Sequence, residues 1–181
     1  MRTGTTRETL VMSDEVIHDD LSEESLKAEA TRWWQLAYAA QMRGELDEAI
    51  RLYTCSIEIY PTAEAYTYRG WAMSYQGRLD EAIEECRRAI AVDPEFGNPY
   101  NDIGAYLIQQ GDYFGAIPWL KRALRAKRYE CYFYPLFNLG RVYEKQGRLI
   151  LAMNCYKAAH DLNHNYTAGL KSFRRLQAML S

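Results

Sequence analysis

The sequence has no apolar run long enough for a bilayer. Its longest uncharged stretch is too short and too polar, so no membrane-spanning helix is expected. Cysteine is sparse. Cys55, Cys86, Cys131 and Cys155 form no CxxC pair, and their spacing suits neither a zinc site nor a disulfide-stapled mini-protein. They read as reduced thiols packed near helix interfaces. The chain carries no phosphate-binding glycine loop, GxSxG elbow, HExxH pair or dinucleotide fingerprint, so no enzyme, cofactor or metal is expected. A strong excess of one charge is missing too. With 22 basic and 24 acidic residues the net charge is −2, and no nucleic-acid binding is expected. The N-terminus lacks the continuous apolar core of a secretory leader, so a cytoplasmic location is expected. Met12 opens a second plausible start, and residues 1–21 read as a flexible acidic arm.

What is present is an ordinary globular composition, 48% hydrophobic and 25% charged, organised as a repeat. Gly44, Gly77, Gly111 and Gly147 end helical runs at spacings of 33, 34 and 36 residues. Five residues after each stands alanine: Ala49, Ala82, Ala116 and Ala152. Seven before each stands Ala37, Gly70, Gly104 or Gly140, and twelve after each Ser56, Ala89, Ala123 or Ala159. A larger residue follows each alanine by four: Tyr53, Cys86, Leu120 and Tyr156. Each unit therefore reads as two amphipathic helices joined at a glycine turn. Small residues let the two helices approach, and the bulky ones fill the groove between them. A single pair cannot bury its apolar face, so successive pairs must stack.

In this pattern the chain resembles the tetratricopeptide repeat family. Repeat 1 (30–62) carries Trp33, Leu36, Ala37, Gly44, Ala49, Tyr53, Ser56 and Pro61. Repeat 2 (63–96) carries Tyr66, Gly70, Gly77, Ala82, Ala89 and Pro94. Repeat 3 (97–132) carries Tyr100, Ile103, Gly104, Gly111, Ala116, Leu120 and Ala123. Repeat 4 (133–166) carries Leu136, Leu139, Gly140, Tyr143, Gly147, Ala152, Tyr156 and Ala159. The resemblance implies an all-α, right-handed superhelical solenoid of four helix pairs over residues 22–166. Arg128 and His164 stand where the family usually has proline, and two extra residues precede repeat 4. Pro118 inside repeat 3 predicts a kink or a late helix start. Ser22 is the expected N-cap of an extended first helix. Residues 167–181 read as a capping helix with Leu170, Phe173, Leu176 and Leu180 as its apolar stripe.

The resemblance also implies that the first helix of each pair lines a concave face. Repeat 1 then contributes Trp34, Tyr38 and Met42, and repeat 2 contributes Thr67, Trp71 and Tyr75. Repeat 3 contributes Asn98, Asn101 and Ile108; repeat 4 contributes Tyr134, Phe137, Arg141 and Lys145, with Asn138 beside them. Rigid aromatics supply contact area at low entropy cost, and the asparagines suit an extended peptide backbone. The competing reading is that individual rings only fill space between helices. Some family members capture a C-terminal carboxylate with lysine and asparagine on the first repeat. Trp34 and Tyr38 occupy those positions here, so that clamp is absent.

Charge is uneven along the chain. Residues 1–96 carry 10 basic and 19 acidic side chains, and residues 97–181 carry 12 and 5. The plainer reading of this polarity is solvated outer faces, and the sharper one is head-to-tail self-association or docking of the acidic N-terminal arm. His160 and His164 lie four apart without a third ligand. Glu84 and Glu85 read as a solvated helix face. The expected function is a non-catalytic adaptor or scaffold that holds a peptide or helix of another protein in an aromatic groove. A chaperone for a secreted or assembly-prone subunit, and a salt-sensitive self-assembling scaffold, are the alternatives.

Overall fold

A computed structural model describes residues 22–180. The expected N-terminal arm and the second start at Met12 lie outside the described residues. The described residues form nine helices. They are α1 (Glu23–Met42), α2 (Leu46–Ile59), α3 (Ala63–Tyr75), α4 (Leu79–Val92), α5 (Asn98–Gln110), α6 (Tyr113–Ala123), α7 (Phe133–Lys145), α8 (Leu149–Leu162) and α9 (Thr167–Leu180). The architecture is an all-α repeat solenoid.

The turn glycines set the period. Gly44, Gly77, Gly111 and Gly147 take φ of 80°, 77°, 86° and 72°, a left-handed conformation that a side chain would strain. Each second helix starts two residues later, at Leu46, Leu79, Tyr113 or Leu149. Side-chain caps fix some of the starts. Ser22 Oγ accepts from the Ser25 amide at 3.2 Å, Thr62 Oγ1 from Ala65 at 3.2 Å and Asp112 Oδ1 from Gly115 at 2.8 Å.

All twelve small positions of the repeat are buried. The reason is close approach within each pair. A Cβ at Gly104 would stand 2.5 Å from Leu120 Cδ2, and one at Gly140 would stand 2.5 Å from Tyr156 Cε1. The four bulky partners Tyr53, Cys86, Leu120 and Tyr156 are buried as well. Two of them satisfy their polar ends: Tyr53 Oη donates to Gln41 Oε1 and Tyr156 Oη to Glu144 Oε2, both at 2.8 Å.

Two local expectations need correction. Helix α6 starts at Tyr113, in step with its counterparts, and runs through Pro118, so of the kink or late start expected there the late start does not occur. It ends after eleven residues, the shortest of the described helices. Glu84 and Glu85 do not share a solvated face. Glu84 is exposed, but Glu85 is buried and accepts from Arg69 Nε at 2.7 Å. The burial has a steric cause: Gly70 brings α3 against α4 directly over Glu85, whose Cβ lies 3.1 Å from where a Gly70 Cβ would be.

Helices neighbouring in sequence pack together. The odd-numbered helices also touch, α1 with α3, α3 with α5 and α5 with α7, which puts them on the tighter, concave side. Helix α9 packs on α8 with Leu176 fully buried against Ala152 and Tyr156, while Leu180 stays exposed. No helix among the described residues is long and apolar enough to cross a membrane.

Candidate functional site

The concave side begins with a run of aromatic rings. Trp34 and Tyr38 are one turn apart on α1 and stack at 5.6 Å with planes 4° apart. Tyr68 on α3 meets both edge-on, at 5.1 and 5.6 Å. Trp71 continues from Tyr68 at 5.8 Å, and Tyr75 from Trp71 at 5.5 Å. Tyr38 and Tyr75 are exposed along this run, and Trp34 and Trp71 are half-buried. The Trp34 indole N–H is buried without a hydrogen-bond partner among the described residues.

A second aromatic group sits at the other end. Tyr134 lies 4.3 Å from Phe133 and 5.4 Å from Tyr166 between ring centres. Phe137 packs on Tyr156 and Tyr166, each at 5.2 Å.

Between the two groups lies a pocket of about 380 Å³. Thr67, Tyr68 and Trp71 of α3 form one wall, and Asn98, Asn101 and Asp102 of α5 form another. Tyr129 and Cys131 close it from the α6–α7 connection, and Tyr134 from α7. The Thr67 hydroxyl is engaged with its own helix, donating to the Ala63 carbonyl at 2.7 Å.

Beside the rings runs an oriented polar chain. Arg141 Nη1 donates to Asn138 Oδ1 at 3.2 Å, Asn138 Nδ2 to Asn101 Oδ1 at 3.1 Å and Asn101 Nδ2 to Asp102 Oδ1 at 3.2 Å. Three side-chain amide and guanidinium donors thus point the same way, ending on a carboxylate. Desolvation pushes the Asp102 carboxyl up to about 7, against the pull of the Asn101 amide in the other direction. Burial likewise raises the Tyr68 and Tyr129 phenols and the Cys131 thiol.

Of the residues expected on the inner face, Thr67, Trp71, Asn98, Asn101 and Tyr134 come together at this pocket. Trp34, Tyr38 and Tyr75 extend it as the aromatic run. Asn138 and Arg141 sit beside it in the polar chain, and Phe137 leans toward Tyr156. Met42 stands apart at the end of α1. Ile108 is buried among Ala116, Leu120, Leu139 and Val142. Lys145 borders a separate, smaller recess of about 130 Å³ with Ile108 and Arg141.

The sequence reading did not find Tyr68, Asp102, Tyr129 or Cys131. Tyr68 and Asp102 each follow an expected position, Thr67 or Asn101, by one residue. Among the described residues no group of three or more histidine, cysteine or acidic side chains is placed to hold a metal ion. His160 and His164 meet edge to face at 5.1 Å.

Three stretches, residues 63–96, 100–128 and 134–166, match the family description Tetratricopeptide repeat and together cover more than half of the chain. Small glutamine-rich tetratricopeptide repeat-containing protein 2 of Mycosarcoma maydis is 33% identical over 101 residues, 55% of this chain and 27% of that protein. The chain thus spans about a quarter of that relative's length. Among solved structures, the pilF protein of Pseudomonas aeruginosa superposes with a TM-score of 0.78 at 24% identity, over 84% of this chain and 70% of that one. YrrB, a TPR protein with an unusual peptide-binding site, superposes with a TM-score of 0.63 at 21% identity, over 86% and 80%. At these identities the likeness is one of fold.

Proposed function

Because the chain belongs to the tetratricopeptide repeat family, we propose that it is a non-catalytic protein–protein interaction scaffold whose concave aromatic face receives a peptide or helix of another protein. One observation carries the reading: the five-ring run from Trp34 to Tyr75 leaves Tyr38 and Tyr75 exposed and leads into the Trp71 pocket. Contiguous exposed aromatic surface costs solubility unless a partner covers it, and rigid rings are the residue type that dominates interface energetics. The peptide-binding site of YrrB, on the same fold, supports this mode of use.

The test is affinity capture from the source cell with mass-spectrometric readout, wild type beside Tyr38→Ala/Trp71→Ala, with both shown to be folded. A protein held by wild type and lost by the double variant is the expected result. A protein held equally by both sinks the groove assignment and moves the contact elsewhere on the solenoid.

Charge polarity supports self-association as a second reading, in which the basic C-terminal half of one copy meets the acidic N-terminal half of the next. Sedimentation at low and high salt decides it, because screening must dissolve such contacts.

A further inference from the structure

The pocket described above is an aromatic enclosure with one carboxylate in its wall. Trp71, Tyr68, Tyr129 and Tyr134 bring four π-systems to it, whose faces attract cations. Asp102 accepts one hydrogen bond, at Oδ1 from Asn101, and among the described residues no donor reaches its Oδ2. Nor does any described lysine, arginine or histidine pair with it. Of the cations on the elements that line the pocket, Arg69 pairs with Glu85, Arg128 with Glu64 and Asp93, and Arg141 donates to Asn138. A half-buried carboxylate without a counter-ion is an expensive feature, and an incoming cation repays it.

We propose that this pocket receives one arginine or lysine side chain of the partner segment, with Asp102 as its counter-ion and the rings of Trp71, Tyr68, Tyr129 and Tyr134 as its walls. The inference rests on the groove reading and adds the chemistry that the groove selects. The partner is thus a segment with apolar or aromatic anchors for the Trp34–Tyr75 run and a single basic anchor for the pocket. The raised proton affinity of Asp102 fits a site that is completed by its ligand, since a bound cation holds the carboxylate ionised.

The experiment uses the full chain, panned against a phage-displayed library of random peptides. A selected sequence is then synthesised with its basic residue intact and with glutamine in its place. Affinities are measured by fluorescence anisotropy against wild type, Asp102→Asn and Trp71→Leu. Selected peptides are expected to share a basic residue at one position. Replacing it should weaken binding to wild type by about tenfold or more, as for a partly buried charge pair. The same replacement should cost less than about twofold against Asp102→Asn, because the interaction it removes is already gone. Trp71→Leu, which removes a ring and keeps the carboxylate, should weaken the basic peptide more than the glutamine peptide.

Selected peptides with no basic position, or a basic residue whose contribution survives in Asp102→Asn, would overturn the proposal while leaving the groove reading in place. Peptide binding unchanged in Tyr38→Ala/Trp71→Ala would instead overturn the groove itself. Failure to select any peptide, with self-association lost in Asp102→Asn, overturns the proposal by making the pocket a contact between copies of the chain.

Discussion

Gln76 Nε2 donates to Asp47 Oδ1 at 2.7 Å, tying the end of α3 to the start of α2 in the preceding unit. The same bond recurs one unit on, from Gln110 Nε2 to Asp80 Oδ1 at 2.7 Å. In both cases glutamine precedes a turn glycine and aspartate follows one by three residues. The next unit breaks the series. Gln146 precedes Gly147, but the residue three after Gly111 is Phe114, which is exposed, and Gln146 Nε2 is buried without a partner among the described residues. Phe114→Asp restores the acceptor and adds an acidic residue to the first turn of α6. The expected gain is about 1 kcal/mol in urea unfolding, the worth of a hydrogen bond to a charged group less its ordering cost. A variant no more stable than wild type, or one that Gln146→Ala does not return to the wild-type value, contradicts this account of the gap.

The Arg69–Glu85 pair joins α3 to α4 with both side chains nearly inaccessible, at 10% and 6% exposure. Arg69 also donates to Thr54 Oγ1 at 2.9 Å, so one guanidinium serves two units. Removing the arginine leaves a buried carboxylate whose remaining charged partner is the exposed Arg88, at 3.0 Å. Arg69→Met is expected to destabilise by about 3 kcal/mol. Arg69→Met/Glu85→Leu should recover most of that loss, because the uncompensated charge leaves with its partner. Chemical denaturation of the two variants checks the sign: a double variant as unstable as the single one rejects the burial argument.

These two features show which parts of the molecule were legible in the sequence. The glycine turns and small positions recur in register because helix pairs at close approach leave no choice of residue. The glycine turns before Leu46, Leu79, Tyr113 and Leu149 therefore follow from counting, as does α9 from its apolar stripe, whereas Pro118 obscured the start of α6. The pocket was only half legible. Thr67, Trp71, Asn98, Asn101 and Tyr134 fall at the inner-face positions that the family resemblance implies. Tyr129 and Cys131 belong to the irregular α6–α7 connection, where the period is interrupted and no face can be assigned by counting. Glu85 was misjudged for a different reason: a charge on a helix reads as solvated unless its partner, sixteen residues away, is known to face it.

Asp102 makes stability depend on pH in a direction unusual for a carboxylate. Its proton affinity in the fold lies near 7, above the ordinary 3.8, because burial disfavours the charge. The groups within its field are Tyr68 of α3, Cys86 of α4, Tyr106 of α5 and Tyr129 of the α6–α7 connection, all neutral at pH 7. The folded chain thus binds more protons than the unfolded one between the two values. The stability that the protonated form contributes is fully present below about pH 4 and lost as pH rises through about 7. Asp102→Asn, which keeps an acceptor for the Asn101 amide, should be more stable than wild type at about pH 8. That advantage should shrink toward about pH 5. Comparing the two proteins cancels every other titration. An advantage that grows on acidification would show that Asp102 is held as a stabilised anion instead.

Gly97 and Tyr129 test the wall of the pocket. The α6–α7 connection reaches back to the start of α5, where the Gly97 amide donates to the Arg128 carbonyl at 3.1 Å and the Arg128 amide to the Glu95 carbonyl at 3.0 Å. Arg128, standing where the family usually has proline, holds this strap down. It lies 4.3 Å over the Phe96 ring and reaches Asp93 and Glu64. Tyr129 is pressed so close that a Cβ on Gly97 would lie 2.3 Å from its Cγ. The constraint is steric, since the φ of −79° at Gly97 suits any residue. Gly97→Ala must displace Tyr129, at an expected cost of about 1–3 kcal/mol for overpacking. The displaced ring also opens the pocket, so affinity for a groove-bound peptide should fall even at a temperature where the variant is fully folded. Tyr129→Leu/Gly97→Ala, which shortens the obstructing side chain, should regain part of the stability without regaining the affinity. Recovery of both would mean that Tyr129 only fills space. Recovery of stability alone assigns the ring to the binding surface.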